Sequence, residues 1–159
     1  MALDASYIGA LAKELSDCLV GARVDKIHEP SRDDIVIALR GPLVKGKKLL
    51  LSANASMPRV YLTTLSRENP AAAPMFCMLL RKHLTNGKIM SVTAPEMERI
   101  IDIVFEVNDE MGVSSKRTLT CEIMARHSNI ILRDADDRII DCLKRVDLEQ
   151  SSREVLPGR

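Results

Sequence analysis

Apolar residues near the start of the chain are spaced as in an amphipathic helix. They recur at intervals of three or four residues, at Ile8, Leu11, Leu15, Cys18 and Leu19. This period places them on one face of a helix. The predicted helix covers residues 4–19, with Asp4 as a plausible N-cap and Gly21 ending it.

After this helix, short apolar runs alternate with polar turns, a pattern that indicates β-structure. The cluster around Pro30 is interpreted as the turn of the first hairpin. A second helix is predicted over residues 74–84, because Pro74 suits a first helical turn. The fold class is therefore predicted as α+β, with mostly antiparallel, sandwich-like sheets and two main helices. The predicted strands are residues 23–28, 34–39, 47–52, 59–63, 88–93, 100–107, 117–124, 129–132 and 138–143.

Composition and charge limit the kinds of partner. Hydrophobic residues make up 46% of the 159 residues but aromatic residues only 3%, so an aliphatic core is expected. The 23 basic and 22 acidic residues leave a net charge of +1. A nucleic-acid-binding protein with this balance must concentrate its cations on one face. Because aromatic rings are scarce, recognition of RNA shape and phosphates is more compatible than base stacking as the main mode.

The cysteines and the two chain ends bear on the compartment and the domain organisation. Cys18, Cys77, Cys121 and Cys142 lie far apart without a CxxC pair, which is typical of buried thiols in a reducing environment. The first residues lack a signal-peptide pattern, and no apolar run is long enough to span a membrane. A cytoplasmic protein is expected. The closing segment reads as a linker, so residues 1–159 are expected to be one domain of a longer protein.

The sequence contains no recognisable catalytic or metal-binding motif. His28, His83 and His127 are far apart and lack zinc-site spacing. The glycines are isolated, and no P-loop, GxGxxG or GxSxG pattern is found. The chain is therefore not predicted to be an enzyme, and no cofactor or metal is expected.

Basic and polar side chains cluster at the ends of predicted elements. Residues 81–83 occupy the last turn of the second helix, where cations either interact with the helix dipole or contact phosphates. Residues 126–129 form a donor-rich turn, where Gly, Asp or Pro would be more usual. Lys144 and Arg145 are either a solvated strand end or an extension of this surface. The candidate RNA phosphate contacts are Arg81, Lys82, Arg126, His127, Asn129, Lys144 and Arg145.

Several blocks resemble the N-terminal domain of the NFACT family. They are residues 1–4, 69–70, 74–84, 122–124, 126–129, 139–141, 144–146 and 152–158, in the family's order. The resemblance implies a ribosome-quality-control factor that binds the large ribosomal subunit with an obstructed nascent chain. Such a factor recruits tRNA for C-terminal alanine tailing, and the ribosome itself makes the bonds. The resemblance also implies a fold like the N-terminal domain of formamidopyrimidine-type DNA glycosylases.

The resemblance assigns tRNA binding to three residues. The family's acid–arginine pair falls on Glu98 and Arg99, and another acidic position falls on Asp4. The family more usually has Asp before this arginine, so Glu98 lengthens the acidic side chain by a methylene. From the residues alone, Glu98 and Arg99 also fit an ordinary exposed pair, and Asp4 also fits a helix cap.

The sequence leaves two alternative functions open. The family's older name predicts a surface adhesin that binds fibronectin, although the absence of a signal peptide and the unpaired cysteines count against it. A nucleic-acid-processing enzyme related to the glycosylases is the other alternative. The chain begins Met-Ala-Leu-Asp and lacks the N-terminal Pro-Glu of those enzymes, which makes glycosylase chemistry unexpected.

Overall fold

The computed structural model describes residues 5–56, 58–64, 66–95, 98–124, 127–144 and 157. Within these ranges the secondary structure confirms the α+β class. The helices are α1 (Ala5–Leu19) and α2 (Met75–Leu84). The strands are β1 (Arg23–Ser31), β2 (Asp34–Arg40), β3 (Lys48–Ser52), β4 (Arg59–Thr63), β5 (Lys88–Thr93), β6 (Ile100–Asn108), β7 (Ser114–Glu122), β8 (Asn129–Arg133) and β9 (Ile139–Cys142).

These nine strands of the described ranges belong to one antiparallel sheet, in the order β4-β3-β2-β1-β5-β6-β7-β8-β9. Two meanders, β1–β4 and β5–β9, join where Arg23 of β1 pairs with Lys88 of β5. In a flat sheet β3 and β9 would lie seven strand spacings apart, roughly 33 Å. Instead, the Lys144 Nζ after β9 donates to the Ala53 carbonyl after β3 at 2.5 Å. The sheet therefore folds back on itself. The predicted likeness to the N-terminal domain of formamidopyrimidine-type DNA glycosylases stays a prediction.

The core lies between the two meanders and the helices, and it is mainly aliphatic. One buried cluster combines side chains from both meanders with those of α1 and α2. Fully burying one such side chain contributes about 1.5–3 kcal/mol. α1 packs mainly on β5 through Ile8, Ala12, Leu15 and Leu19, which recur at helical spacing. α2 buries Phe76, Cys77, Leu80 and Leu84.

The prediction that Pro30 lies in a hairpin turn is wrong. β1 continues through Pro30 to Ser31, and the turn consists of Arg32 and Asp33. The register with β2 shifts between His28 and Ser31, so β1 carries one extra residue there. A bulge of this kind tolerates proline, because the extra residue is not paired in the ladder.

The β6–β7 hairpin also differs from its predicted bounds. β7 begins at Ser114, three residues before its predicted start. The Asp109 carboxylate accepts hydrogen bonds from the N–H groups of Met111 and Val113, at 2.8 and 2.9 Å. Gly112 has φ +79°, which suits glycine. These contacts close the turn and allow both strands to extend.

Candidate nucleic-acid interface

Two connections meet at one end of the β5–β9 meander. Glu98 and Arg99 close the connection between β5 and β6, and His127 lies between β7 and β8. The Ile123 N–H, just after β7, donates to the Arg99 carbonyl at 2.9 Å. Glu122 at the end of β7 pairs with the first residues of both β6 and β8. The sheet register thus brings these two predicted segments together, although they are far apart in sequence.

The Glu98, Arg99 and His127 side chains are exposed at this end. In the part of the chain that the structure describes, neither Glu98 nor Arg99 has a side-chain hydrogen bond or ion pair. The His127 main chain closes a tight turn, because its N–H donates to the Met124 carbonyl at 2.9 Å. An acid, a guanidinium and an imidazole therefore stand available to solvent at the same end of the sheet.

Asn129 has a structural role that the sequence analysis did not foresee. It is only 3% exposed, and its Nδ2 donates to the Lys144 carbonyl at 2.8 Å. Its Oδ1 accepts from the N–H groups of Lys144 and Ile130, each at 2.9 Å. Lys144 is half-buried, with its Nζ on the Ala53 carbonyl. Because these contacts are internal, Asn129 and Lys144 are structural residues and are no longer candidate phosphate contacts.

Arg81 is also engaged inside the protein. Its Nε donates to the Ile27 carbonyl at 2.8 Å, and its guanidinium lies 3.3 Å from His28 Nδ1. It therefore connects α2 to β1 and is no longer a candidate phosphate contact. Lys82 is exposed, but α2 leads into the start of β5. Glu98 and Arg99 follow the other end of β5, roughly 20 Å along the strand. The structure does not bring Lys82 to their site.

Three predicted site residues, Asp4, Arg126 and Arg145, lie outside the described residues. All four cysteines are free thiols, of which Cys77, Cys121 and Cys142 are buried. Within the described ranges, no three His, Cys, Asp or Glu residues are grouped to hold a metal ion. No helix in those ranges is long and apolar enough to cross a membrane.

A second group of cations, which the sequence analysis missed, lines a pocket on the β1–β4 meander. Lys48 lies on β3, Arg59 on β4, and Arg67 in the segment after β4. The available signal was the period-two pattern of these strands, which places Lys48 and Leu50, and Arg59 and Tyr61, on shared faces. The strand pairing that unites these residues is not visible in the sequence.

The chain is similar to known proteins over its whole length. A family model described as NFACT N-terminal and middle domains matches residues 4–159. Rqc2 homolog RqcH of Bacillus subtilis is 42% identical over 161 residues, which cover 100% of this chain and 28% of that protein. The more distant ribosome quality control complex subunit NEMF of Mus musculus is 28% identical over 135 residues, covering 85% of this chain and 12% of that protein. The chain therefore spans less than a third of these relatives.

The fold is also found in solved structures. The crystal structure of the N-terminal domain of fibronectin-binding protein PavA from Streptococcus pneumoniae superposes with a TM-score of 0.91. The two sequences are 35% identical, and the match covers 99% of this chain and 60% of that one. The similarity in sequence and the similarity in fold thus both extend over nearly the entire chain.

Proposed function

Because the chain belongs to the NFACT family, we propose that it is the tRNA- and large-subunit-binding domain of a ribosome-associated quality-control factor. The whole protein would work in the cytoplasm and recruit tRNA to stalled nascent chains for C-terminal alanine tailing. In this proposal the ribosome forms the peptide bonds and the domain has no catalytic role. One observation carries the proposal: the exposed Glu98 and Arg99 side chains have no partner among the described residues.

The chemistry of this pair suits RNA. The planar Arg99 guanidinium can donate two parallel hydrogen bonds to a phosphate or to a guanine edge. Glu98 can accept from exocyclic amines of bases or from a ribose 2′-hydroxyl. His127 adds a ring from the adjacent connection. The pairing of β6, β7 and β8 brings the ends of both connections together.

The direction of α1 supports a role for the start of the chain at the same end. The Gly21 N–H, just after α1, donates to the Ile89 carbonyl near the start of β5, at 2.8 Å. α1 packs mainly on β5, and in this proposal it runs along β5 so that its first turn lies toward the end of β5 that Arg99 follows. Asp4 directly precedes that turn in the sequence. A contact between Asp4 and the same tRNA is therefore part of the proposal.

The proposal is tested by tRNA binding to the purified chain over a salt series. The test variant is Glu98→Ala/Arg99→Ala, which leaves the net charge unchanged. The matched control is Glu106→Ala/Lys116→Ala, an exposed acid–base pair in register at the other end of β6 and β7. These positions lie roughly 25 Å along the sheet from the test pair. The control therefore measures any general effect of removing such a pair.

We expect the test variant to bind tRNA about 10-fold or more weakly, since a specific arginine contact contributes about 1–3 kcal/mol. Its slope of log affinity against log salt should fall by about one if Arg99 contacts a phosphate. The control should bind like wild type. If both variants bind like wild type, or both lose affinity equally, the assignment to Glu98 and Arg99 is refuted.

Fibronectin binding is the second candidate, because the Streptococcus pneumoniae protein of the same fold is named for it. The same variants separate the two functions in a fibronectin pull-down. Fibronectin binding that persists at high salt and in Glu98→Ala/Arg99→Ala, together with no measurable tRNA binding, would favour the adhesin. Salt-sensitive tRNA binding that depends on the pair favours the quality-control function.

A further inference from the structure

A pocket of about 410 Å³ lies on the β1–β4 meander, on the face turned away from the core. All four strands and residues 66–69 contribute to its lining. Val36, for example, faces the pocket, while its neighbours Ile35 and Ile37 are buried in the core. The volume falls in the range of roughly 300–1,000 Å³ found for small-ligand sites. The pocket is therefore large enough for a compact ligand.

The pocket concentrates positive charge. Its lining contains three cations, Lys48, Arg59 and Arg67, and one carboxylate, Asp34. This gives a net charge of +2, whereas the entire chain carries +1. Arg67 pairs with Asp34 at 2.5 Å, which leaves Lys48 and Arg59 without a carboxylate partner in the described ranges. Two uncompensated cations in a concavity favour an anionic ligand.

His28 adds a neutral hydrogen-bond donor to the lining. Arginine cannot accept a hydrogen bond, so the contact from Arg81 makes His28 Nδ1 the acceptor and places the proton on Nε2. Burial and the nearby charges of Arg81, Lys48 and Lys26 lower the pKa of His28. The imidazole is therefore neutral at pH 7 and offers one N–H donor. Arg81, an RNA-contact candidate in the sequence, thus orients a pocket residue instead.

The pocket also contains an aromatic ring. Tyr61 lies on its wall, and the Arg59 guanidinium carbon is 5.1 Å from the ring centroid, in a cation–π arrangement. An aromatic ring beside cations that lack a carboxylate partner is the combination that binds single-stranded nucleic acid, because bases stack on the ring while cations hold the backbone. An inorganic anion alone would make no use of the ring.

We propose that this pocket binds one nucleotide of a single-stranded RNA segment, with its phosphate on Lys48 and Arg59 and its base against Tyr61. The proposal rests on the RNA-binding function proposed above and adds a second contact region to it. The site at Glu98 and Arg99 is on the other meander. An RNA engaged at both places would thus be held by both halves of the sheet.

The experiment measures binding of fluorescein-labelled hexauridylate to the 159-residue chain by fluorescence anisotropy. The test variants are Lys48→Ala, Arg59→Ala and Tyr61→Leu. Lys45→Ala is the charge-matched control, because Lys45 is exposed on the neighbouring loop and does not line the pocket. Tyr61→Phe keeps the ring and removes only the hydroxyl. Far-UV circular dichroism verifies that each variant is folded, and inorganic pyrophosphate competes as a phosphate without a base.

We expect each of the three test variants to bind hexauridylate about tenfold more weakly, the size of one base–aromatic stacking or phosphate contact. Lys45→Ala and Tyr61→Phe should stay near wild type. In imidazole NMR spectra, the His28 signal, assigned with His28→Gln, should shift on RNA addition. Equal weakening by Lys45→Ala and Lys48→Ala, or a His28 signal that does not move, overturns the proposal. Full binding by Tyr61→Leu, or pyrophosphate binding as tightly as RNA, overturns the assignment of a nucleotide.

This test separates the pocket from the tRNA site. The Glu98 and Arg99 pair lies outside the pocket, so Lys48→Ala, Arg59→Ala and Tyr61→Leu leave that pair intact and report on the pocket alone. If wild type binds tRNA but not hexauridylate, the pocket proposal fails and the proposed function stands. If it binds hexauridylate through Tyr61 but does not bind tRNA, the pocket stands and the proposed function fails.

Discussion

Replacing Asn129 by Ala is expected to destabilise the fold without weakening RNA binding by the folded protein. The substitution removes three hydrogen bonds, two to the main chain of Lys144 and one to the Ile130 N–H. Each is worth about 1 kcal/mol net, and a buried group left unpaired costs about 1–3 kcal/mol. Because Lys144 is half-buried, water can reach part of its main chain once the substitution has removed the Asn129 side chain. We therefore expect a loss of about 2–4 kcal/mol in the free energy of unfolding.

Asn129→Asp is the control that separates the donor from the acceptor. Its carboxylate still accepts from the Lys144 and Ile130 N–H groups, but an oxygen now faces the Lys144 carbonyl that accepted from Nδ2. The two oxygens repel each other while the carboxylate is ionised. Below a pH of about 4 the carboxyl group becomes protonated and can donate again. The deficit of Asn129→Asp relative to wild type should therefore shrink as the pH falls.

Urea unfolding followed by far-UV circular dichroism measures these differences, since the chain has no Trp for fluorescence. tRNA binding is measured in parallel below the unfolding transition. A loss of less than about 0.5 kcal/mol for Asn129→Ala, as for an ordinary surface substitution, would refute the structural role. If that variant also bound tRNA much more weakly while remaining folded, Asn129 would return to the interface.

Three further predictions concern packing, thiols and acid stability. Gly87→Ala should cost about 1–3 kcal/mol, because a Cβ would lie 2.9 Å from a carbonyl oxygen and a valine methyl. Gly9→Ala is the control, because Gly9 faces open space on α1, and it should stabilise the protein by about 0.5–1 kcal/mol. If Gly87→Ala and Gly9→Ala changed the free energy of unfolding in urea equally, the packing argument would be refuted. Among the four thiols, only half-buried Cys18 should react rapidly with Ellman's reagent in the native protein, and all four after denaturation; four equal native rates would contradict the burial. Burial alone would raise the pKa of Asp34, but the hydrogen bonds from Arg67, Ser52 and Ser31 together with the charge of Arg67 outweigh it and lower that pKa. The pair's stabilisation is therefore complete above the usual Asp pKa of about 3.9 and disappears as the pH falls through the lower folded value. Arg67→Ala should thus be destabilised at pH 7 and approach wild type in strong acid; a deficit that did not depend on pH would exclude this coupling.

Local sequence was sufficient to predict most secondary-structure elements. α2 was predicted over residues 74–84 and is Met75–Leu84, and β4 and β5 have their predicted bounds. Hydrophobic period, a first-turn proline and a following Asn-Gly are all properties of neighbouring residues. Pro30 was placed wrongly because its bulge depends on the register with β2. That register is a relation between two strands, which one strand's sequence does not contain.

Which polar residues are free to bind a partner was decided only by the tertiary structure. The sequence does not distinguish a side chain bonded inside the protein from one that contacts RNA. The same hydrogen-bond donor groups would serve in either role at Arg81, Asn129 and Lys144. Each is bonded to a main-chain carbonyl 54, 15 or 91 residues away in the chain, respectively. Main-chain carbonyls are common to every residue, so the sequence carries no mark of which one a side chain will meet. Glu98 and Arg99 stay exposed and have no such bond among the described residues, and only folding could make that distinction.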